Sequence, residues 1–426
     1  MLAPLHTLVP LHAHDTRNAS IEYAWNRKTK TVVKLQSQDS RTNVHAQDFL
    51  SGIHSAFFPP ADQVTPDYWE YIKWRGWHRL FSSMSSIFAT QSLLLAVGVG
   101  ARNTLPAAAG INWVLKDGLG RLGRLTVATK FGESFDSDLK RFRFASSFIY
   151  AGALLIENLT PYVPQYFLPM AAIANVGKSV GLTTYISTQP AFYKSFAKVE
   201  NISDISAKSQ AQQMAIDTLG LALAVSLNLA VKQNAQISRM LPLIMFPVLI
   251  PGDLYSIYQE LRSVHLRTLN KERAELLAAA YLDGQRVLTP DDVSKLERFV
   301  MPSAASMGPF PLEIRGLDGR VLTEEDVSMF EKARRGPRGR RYLLSAAPSA
   351  RKDQYAATFR ADCTSKDILQ VVLTMAYLRK DGVELEAAER QASKHVGAFV
   401  KGLRDRGWQC DPFTLSKTER MFYNVL

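Results

Sequence analysis

The chain has 426 residues, room for two to three domains of about 150 residues each, and 51 Lys+Arg against 39 Asp+Glu give it a formal net charge of +12. An apolar share of 46 % with a charged share of 21 % excludes wholesale disorder as well as collagen-like and long coiled-coil architectures. Two cysteines, Cys363 and Cys410, exclude a disulfide scaffold and a four-cysteine zinc ribbon.

Residues 1–56 form a polar N-terminal segment. Within it, Ile21-Glu22-Tyr23-Ala24-Trp25 and Thr31-Val32-Val33-Lys34-Leu35 flank Asn26-Arg27-Lys28-Thr29-Lys30, a spacing that predicts a β-hairpin. His6, His12 and His14 lie in this polar tail and lack the ligand spacing of a zinc site. The segment has no unbroken apolar core of a secretory signal and fits a transit peptide weakly.

Residues 57–273 form a helical domain in which charge is confined to short islands. No charged residue occurs over 81–101, 103–115, 144–156, 158–177 or 240–252, and Asp217 alone interrupts 209–231. These stretches predict about six helices, over 80–101, 104–117, 141–158, 164–188, 210–232 and 240–260. The first, fourth and fifth reach the roughly 20 residues that a membrane-spanning helix needs. Basic residues alternate between the connections: Lys73, Arg75 and Arg79; then Arg121, Arg124, Lys130, Lys140, Arg141 and Arg143; then Lys194, Lys198 and Lys208; then Arg262, Arg267, Lys271 and Arg273. The intervening loops hold Arg102, no basic residue, and Lys232 with Arg239. That alternation is the positive-inside pattern of a membrane protein, so a membrane is the first expected partner.

Residues 274–426 read as a small α+β domain. It opens with an internal repeat, Asp283-Gly284-Gln285-Arg286-Val287-Leu288-Thr289-Pro290-Asp291-Asp292-Val293 and Asp318-Gly319-Arg320-Val321-Leu322-Thr323-Glu324-Glu325-Asp326-Val327. Thr289 with Asp292 and Thr323 with Asp326 have capping-box spacing, which makes these acids caps instead of catalysts. A basic loop follows at 334–341. Strands are expected at 342–345, 355–361 and 408–413, and helices at 365–378 and 384–406. The fold class is thus mainly α, a multi-helix membrane-embedded domain followed by a small α+β domain.

Candidate motifs have plainer readings beside them. Gly118-Leu119-Gly120-Arg121-Leu122-Gly123 matches a dinucleotide fingerprint but lacks the preceding strand. Ala172 to Ser179 matches a loose phosphate loop but has one glycine and sits in an apolar helical run, so Lys178 reads as a polar residue within a helix. Asn18, Asn158 and Asn201 begin Asn-x-Ser/Thr patterns, which matter only in a secretory lumen. No nucleophile elbow, metal cluster or catalytic pair appears, so the chain is expected to be no enzyme and to use no cofactor or metal. The dispersed positive charge fits anionic lipid better than nucleic acid, for which no Arg–aromatic stripe is present.

A longer signature remains. Val64-Thr65-Pro66-Asp67-Tyr68-Trp69 precedes Trp74-Arg75, and Ala89-Thr90-Gln91-Ser92-Leu93-Leu94 precedes Asn112-Trp113-Val114-Leu115-Lys116-Asp117-Gly118-Leu119-Gly120-Arg121-Leu122-Gly123-Arg124. Phe135 to Arg143, Glu157-Asn158-Leu159-Thr160-Pro161, Ala174-Asn175-Val176-Gly177-Lys178 and Glu200 to Lys208 complete it. This series resembles the root UV-B sensitive (RUS) family of plants, algae and animals, departing from it at Trp77, His78 and Phe142. The resemblance implies a role linked to UV-B-sensitive root growth, auxin transport and vitamin B6 homeostasis. It also implies membrane association, a plastid location if the chain comes from a plant or alga, and homo- or hetero-oligomers with other RUS proteins.

The resemblance brings no catalytic residue. Asn112, Lys116, Asp117, Gly118, Gly120, Arg121, Gly123, Arg124 and Asp204 form its candidate functional motif, and Gln91, Asn112, Asn175 and Lys178 are candidates to line a path for a small solute. The loop around Lys116–Arg124 is also similar to the loop between the second and third helices of major facilitator transporters, and six helices would make half of one, completed by dimerisation. The alternative is a non-catalytic helical scaffold that binds another RUS protein or a vitamin-B6-related enzyme.

Overall fold

The computed structural model describes the backbone of residues 8–14, 20–26 and 31–34, and residues 52, 54–97, 114–115, 117–122, 125, 129, 138–284, 286–299, 311–314, 341–346, 355–415 and 419. The contacts divide the chain into two units, 1–58 and 59–426. In the first, β2 (Ser20–Asn26) pairs antiparallel with β3 (Thr31–Lys34), the hairpin that the sequence predicts. A strand that the sequence reading missed, β1 (Leu8–His14), pairs antiparallel on the other side of β2.

The second unit begins with a helical bundle: α1 (Asp67–Ala96), α2 (Leu139–Leu159), α3 (Phe167–Phe196), α4 (Ile202–Val231) and α5 (Ala235–Arg262). The ends sort into two layers. Tyr68 and Tyr71 of α1, Leu139 and Phe144 of α2, Phe192 and Phe196 of α3, Ile205 of α4, and Ile257 and Leu261 of α5 share one apolar cluster. Leu93 of α1 meets Phe167 and Ala171 of α3 near the opposite end. Helices α1 and α2 therefore start at the same end of the bundle. The second expected helix, 104–117, lies largely outside the described residues; residues 114–115 and 117–122 within and after it are helical.

Helix α1 begins well before the apolar window at residue 80, α3 runs past 188, and α4 starts before 210. Each continues through charged or polar residues that bounded its apolar window, because at this end of the bundle several polar side chains are packed inside. Arg75, read from sequence as part of the basic N-terminal flank, and Lys140 and Arg143, counted with the basic connection before the 141–158 helix, are helical and buried. Asn158 is likewise buried and accepts a hydrogen bond from Ser92 at 3.0 Å, which removes it as a glycosylation site. Helix α4 crosses α1 closely because Gly220 has no side chain: a Cβ there would lie 2.9 Å from Ser83 Oγ.

Beyond the bundle lie β4 (Thr268–Asn270), α6 (Lys271–Gly284), α7 (Pro290–Leu296), β5 (Leu312–Ile314), β6 (Tyr342–Ala346), β7 (Tyr355–Phe359), α8 (Ser365–Asp381), α9 (Leu385–Asp405) and β8 (Gln409–Thr414). They form a small sheet-containing region with strand order β5-β7-β6 and a β4-β8 pair. Its core is α8, which buries Ile368, Leu369 and Val371 through Leu378 against α6, α9 and the sheet. Thr289 and Asp292 form the reciprocal capping box that their spacing predicts, at 3.1 and 3.2 Å. The second copy of that repeat lies outside the described residues.

Charge ties this region to α2. Lys140, at the start of α2, pairs with Glu297 at 2.5 Å, and Arg273 of α6 pairs with the other oxygen of the same carboxylate. Burial alone would raise the Glu297 carboxyl; Arg273 and Lys140 hold it below its ordinary value. Removing one member of a buried ion cluster strands its partners in low dielectric. Glu297→Ala is therefore expected to cost about 3–5 kcal/mol of unfolding free energy, read by denaturation of the full chain. A loss under about 1 kcal/mol, the range of an exposed pair, would show that Lys140 and Arg273 recover solvent.

Next to this cluster Arg141 pairs with Glu272 at 2.7 Å. Burial, against the pull of Arg141 and with the added repulsion of Asp138 and Glu297, pushes the Glu272 carboxyl up to about 7 from 4.5. Glu272 thus binds its proton more tightly in the folded than in the unfolded chain. Its contribution to stability is complete below pH 4.5 and is lost as the pH rises through about 7. A thermal-unfolding series should show stability rising as the pH falls through that window, and Glu272→Gln should flatten the rise.

Candidate functional site

On α1, Arg75, His78, Ser82, Ser85, Ala89 and Ser92 recur at intervals of three and four, which places them on one face of the helix. That face is buried. An interior helix face in a water-soluble bundle is normally apolar; this one carries an arginine, a histidine and three serines. The side chains around it come from every other helix of the bundle.

Arg75 donates to Tyr71 Oη at 2.9 Å, to Tyr185 Oη at 2.6 Å and to Gln213 Oε1 at 3.4 Å. Gln189 donates to the same Tyr71 oxygen at 2.6 Å. Arg143 of α2 lies over the Tyr185 ring, its guanidinium carbon 4.7 Å from the centroid, and Arg75 is 5.5 Å from that ring. Two guanidinium groups thus share one aromatic neighbour, an electrostatically favourable arrangement for each cation. One turn along α1, His78 Nδ1 lies 2.7 Å from Glu260 Oε2 and Nε2 lies 3.5 Å from Asp253 Oδ1, both acids on α5. Arg79 donates to both Asp217 oxygens, at 2.7 and 2.6 Å.

Several polar atoms in this interior have no hydrogen-bond partner among the described residues: Arg143 Nε, Asp253 Oδ1, Glu260 Oε1, Ser85 Oγ and Thr183 Oγ1. Buried orphans cost about 1–3 kcal/mol each, which makes this interior the candidate site. Beside them a cavity of about 580 Å³ opens between α1, α2 and α4, lined by Arg79, Ser82, Ser83, Ser86, Thr90, Gln91, Tyr150 and Asp217 with a few apolar side chains. No group of three or more potential metal ligands occurs among the described residues.

The residues selected from sequence fall in several places. Gln91 lines this cavity. Lys178 is paired with the fully buried Glu157 at 2.5 Å. Asn175 donates to Asp117 at 3.5 Å and packs on Gly120. Gly118 and Arg121 are exposed, and Asp204 pairs with Lys208 at 2.8 Å in the first turn of α4. Asn112, Lys116, Gly123 and Arg124 lie outside the described residues. Residues 117–122 are helical. The interior cluster of Arg75, His78, Arg143, Asp253 and Glu260 escaped the sequence reading because those residues bound apolar windows. The seven-residue interval between Asp253 and Glu260, and the spacing on α1, are the signals that reveal it.

Gly120 is required by contact. A Cβ there would stand 2.2 Å from Asn175 Nδ2 and 3.3 Å from Asn175 Cβ. Gly120→Ala is expected to cost about 1–3 kcal/mol, the range of an overpacked contact, and Gly120→Ala with Asn175→Ala should recover most of it in a double-mutant cycle of thermal stability. Additive losses would show that the two residues do not meet.

Residues 43–285 match the family model described as a vitamin B6 photo-protection and homoeostasis domain. The chain is 35 % identical over 395 residues to protein root UVB sensitive 4 of Arabidopsis thaliana, covering 86 % of this chain and 75 % of the relative. It is 33 % identical to root UVB sensitive 6 of the same plant, over 81 % of this chain and 72 % of the relative. It is 26 % identical to root UVB sensitive 2, chloroplastic, over 86 % and 84 %. No solved structure matches. A model match over more than half of the chain, together with these identities, shows that the chain belongs to the root UV-B sensitive family.

Proposed function

We propose that this chain is a membrane-embedded member of its family, serving vitamin B6 homeostasis by giving a small polar solute a path through the helical bundle, without catalysing a reaction. The observation that supports this most is the inverted distribution of polarity. The interior buries Arg75, Arg143, His78, Asp253 and Glu260, while α4 exposes Met214, Leu219, Leu221, Leu223, Val225 and Leu229. Water has no use for such an exterior, whereas lipid favours apolar groups outside and charged groups facing the bundle interior. Among the described helices, α4 and α5 are long and apolar enough to cross a membrane, and in the relevant window of α4 only 11 % is buried. The three prolines within α5, Pro242, Pro247 and Pro251, fit the same setting, where broken helical hydrogen bonds are tolerated beside a polar interior.

The arrangement of ends agrees with the basic-residue alternation. The end that gathers the α3–α4 connection and the exit of α5 carries Lys194, Lys198, Lys208, Arg262 and Arg267, and the α4–α5 connection carries Lys232 with Arg239 nearby. One relative bears the word chloroplastic in its name, which makes a plastid membrane one host to test. A path enclosed by a half-transporter needs a second bundle, so an oligomer with itself or another family member is part of this reading.

The test is sidedness in a Cys363→Ser/Cys410→Ser background. Tyr162→Cys and Asn234→Cys are expected to label from one face of sealed membranes and Val199→Cys from the other, with the protein retained after alkaline carbonate. Release by carbonate, or labelling of all three from one face, overturns the membrane reading and leaves the exposed side of α4 as a surface for a partner protein.

A further inference from the structure

We infer that His78 and Asp253 form a binding site for one exchangeable proton in the interior of the bundle. The site follows from the geometry of the bundle and stands independently of whether a solute passes through it.

Glu260 Oε2 lies 2.7 Å from His78 Nδ1. A carboxylate oxygen accepts, so Nδ1 carries a proton and donates it. In the neutral ring that leaves Nε2 as a bare acceptor, and it faces Asp253 Oδ1 at 3.5 Å. That oxygen is itself an acceptor, is buried and has no hydrogen-bond partner among the described residues. Two acceptor lone pairs facing each other out of contact with water are unfavourable. One added proton converts the contact into a charge-assisted hydrogen bond, which a movement of a few tenths of an ångström brings to normal length. The proton can reside on either atom, so the pair titrates as a unit.

The neighbours set the balance. Arg75 and Arg79 lie on the same helix, Arg143 and Tyr150 on α2, Tyr185 on α3, and Asp217, engaged by Arg79, on α4. Arg143 acts on both Asp253 and Glu260. Without the extra proton, the charges of Arg75 and Arg143 are offset by those of Asp253 and Glu260. With it, the cluster holds one positive charge in excess, so proton binding changes the field across the contact between α1, α2 and α5. A route for the proton adjoins the site. Ser82 stands one turn beyond His78 on the buried face of α1 and lines the cavity with Ser83, Ser86 and Tyr150, hydroxyls that both donate and accept.

Histidine-selective ¹⁵N NMR of the full chain in nanodiscs, from pH 5 to 9, tests the site. The His78 signals are assigned by their loss in His78→Gln or, should that variant fail to fold, by replacing the other histidines in turn. Nδ1 is expected to stay protonated throughout, while Nε2 changes protonation state in a single step shared with Asp253. Asp253→Asn should weaken proton binding about tenfold, one unit in midpoint, and Asp253→Glu should restore part of it. An Nε2 that keeps one protonation state across the range, or a midpoint unmoved by Asp253→Asn, overturns the proposal. Release of the protein by carbonate would remove the membrane reading and leave this result standing.

Discussion

Two guanidinium groups, those of Arg75 and Arg143, are buried inside the helical bundle, and much of its architecture answers that fact. Taking such a cation out of water costs several kcal/mol even after relaxation. The cost is met by opposite charge and by oriented oxygens. Helix α5 supplies Asp253 and Glu260, while α1 and α3 supply the hydroxyls of Tyr71 and Tyr185, and α4 supplies Gln213. Each contribution comes from a different place in the sequence. The groups that surround the two cations come together only when α1, α2, α3, α4 and α5 are assembled, so the polar interior acts as a condition on the packing of the bundle.

The same condition explains why α1 occupies the middle of the bundle. Its buried face is polar along most of its length, from Arg75 through Ser92, and each stretch meets a different complement. Arg75 meets tyrosines, His78 meets carboxylates, Arg79 meets Asp217, and Ser92 meets Asn158. At the starting end of α2 the logic is repeated with another set of residues. Lys140 is buried there against Glu297, which Arg273 also holds, so the helical bundle and the region after it are joined by charge as well as by apolar contact. Such joints are specific in geometry because a misplaced partner leaves an ion without compensation.

The sequence made much of the fold legible. Charge-free stretches located the middles of the described bundle helices, and the pattern after the bundle located the Thr289–Asp292 box, β6, β7, β8, α8 and α9, while β4, α6 and β5 went unread. The ends of the bundle helices were less legible. A hydropathy window stops at the first charged residues, whereas α1, α3 and α4 run on through them, since here several of those residues point inward. The candidate site suffered from the same bias. In the sequence Arg75 and Arg143 stand among the basic residues that flank apolar stretches, and Asp253 and Glu260, in the last part of the 240–260 helix, carry no local sign of burial. Recognising them requires knowing that α1 and α5 lie side by side, a tertiary fact that no local pattern contains. Gln91, Asn175 and Lys178 stand out in the sequence because each interrupts an apolar run, yet of the three Gln91 alone lines the cavity.

The Asn112–Arg124 signature, the most distinctive stretch in the sequence, is constrained in its described part by packing. Its described part is a helix, and its contact with α3 is close: Gly120 lies where any side chain would collide with Asn175, and Asn175 reaches Asp117. Three residues three to a few tens of positions apart are thus constrained by one contact, the glycine for space, the asparagine for its amide and the aspartate as acceptor. One turn along α3 from Asn175, Lys178 is held by Glu157 of α2, a residue with no exposure of its own. The glycine-rich segment is therefore seated beside a second buried ion pair that links α2 to α3. The close contact at Gly120 and the ion pair at Glu157 thus fix how α3 meets its two neighbours. The interior and the signature on its flank are thus built on different principles, the first on buried charge gathered from five helices and the second on a close backbone approach beside an ion pair that links α2 to α3.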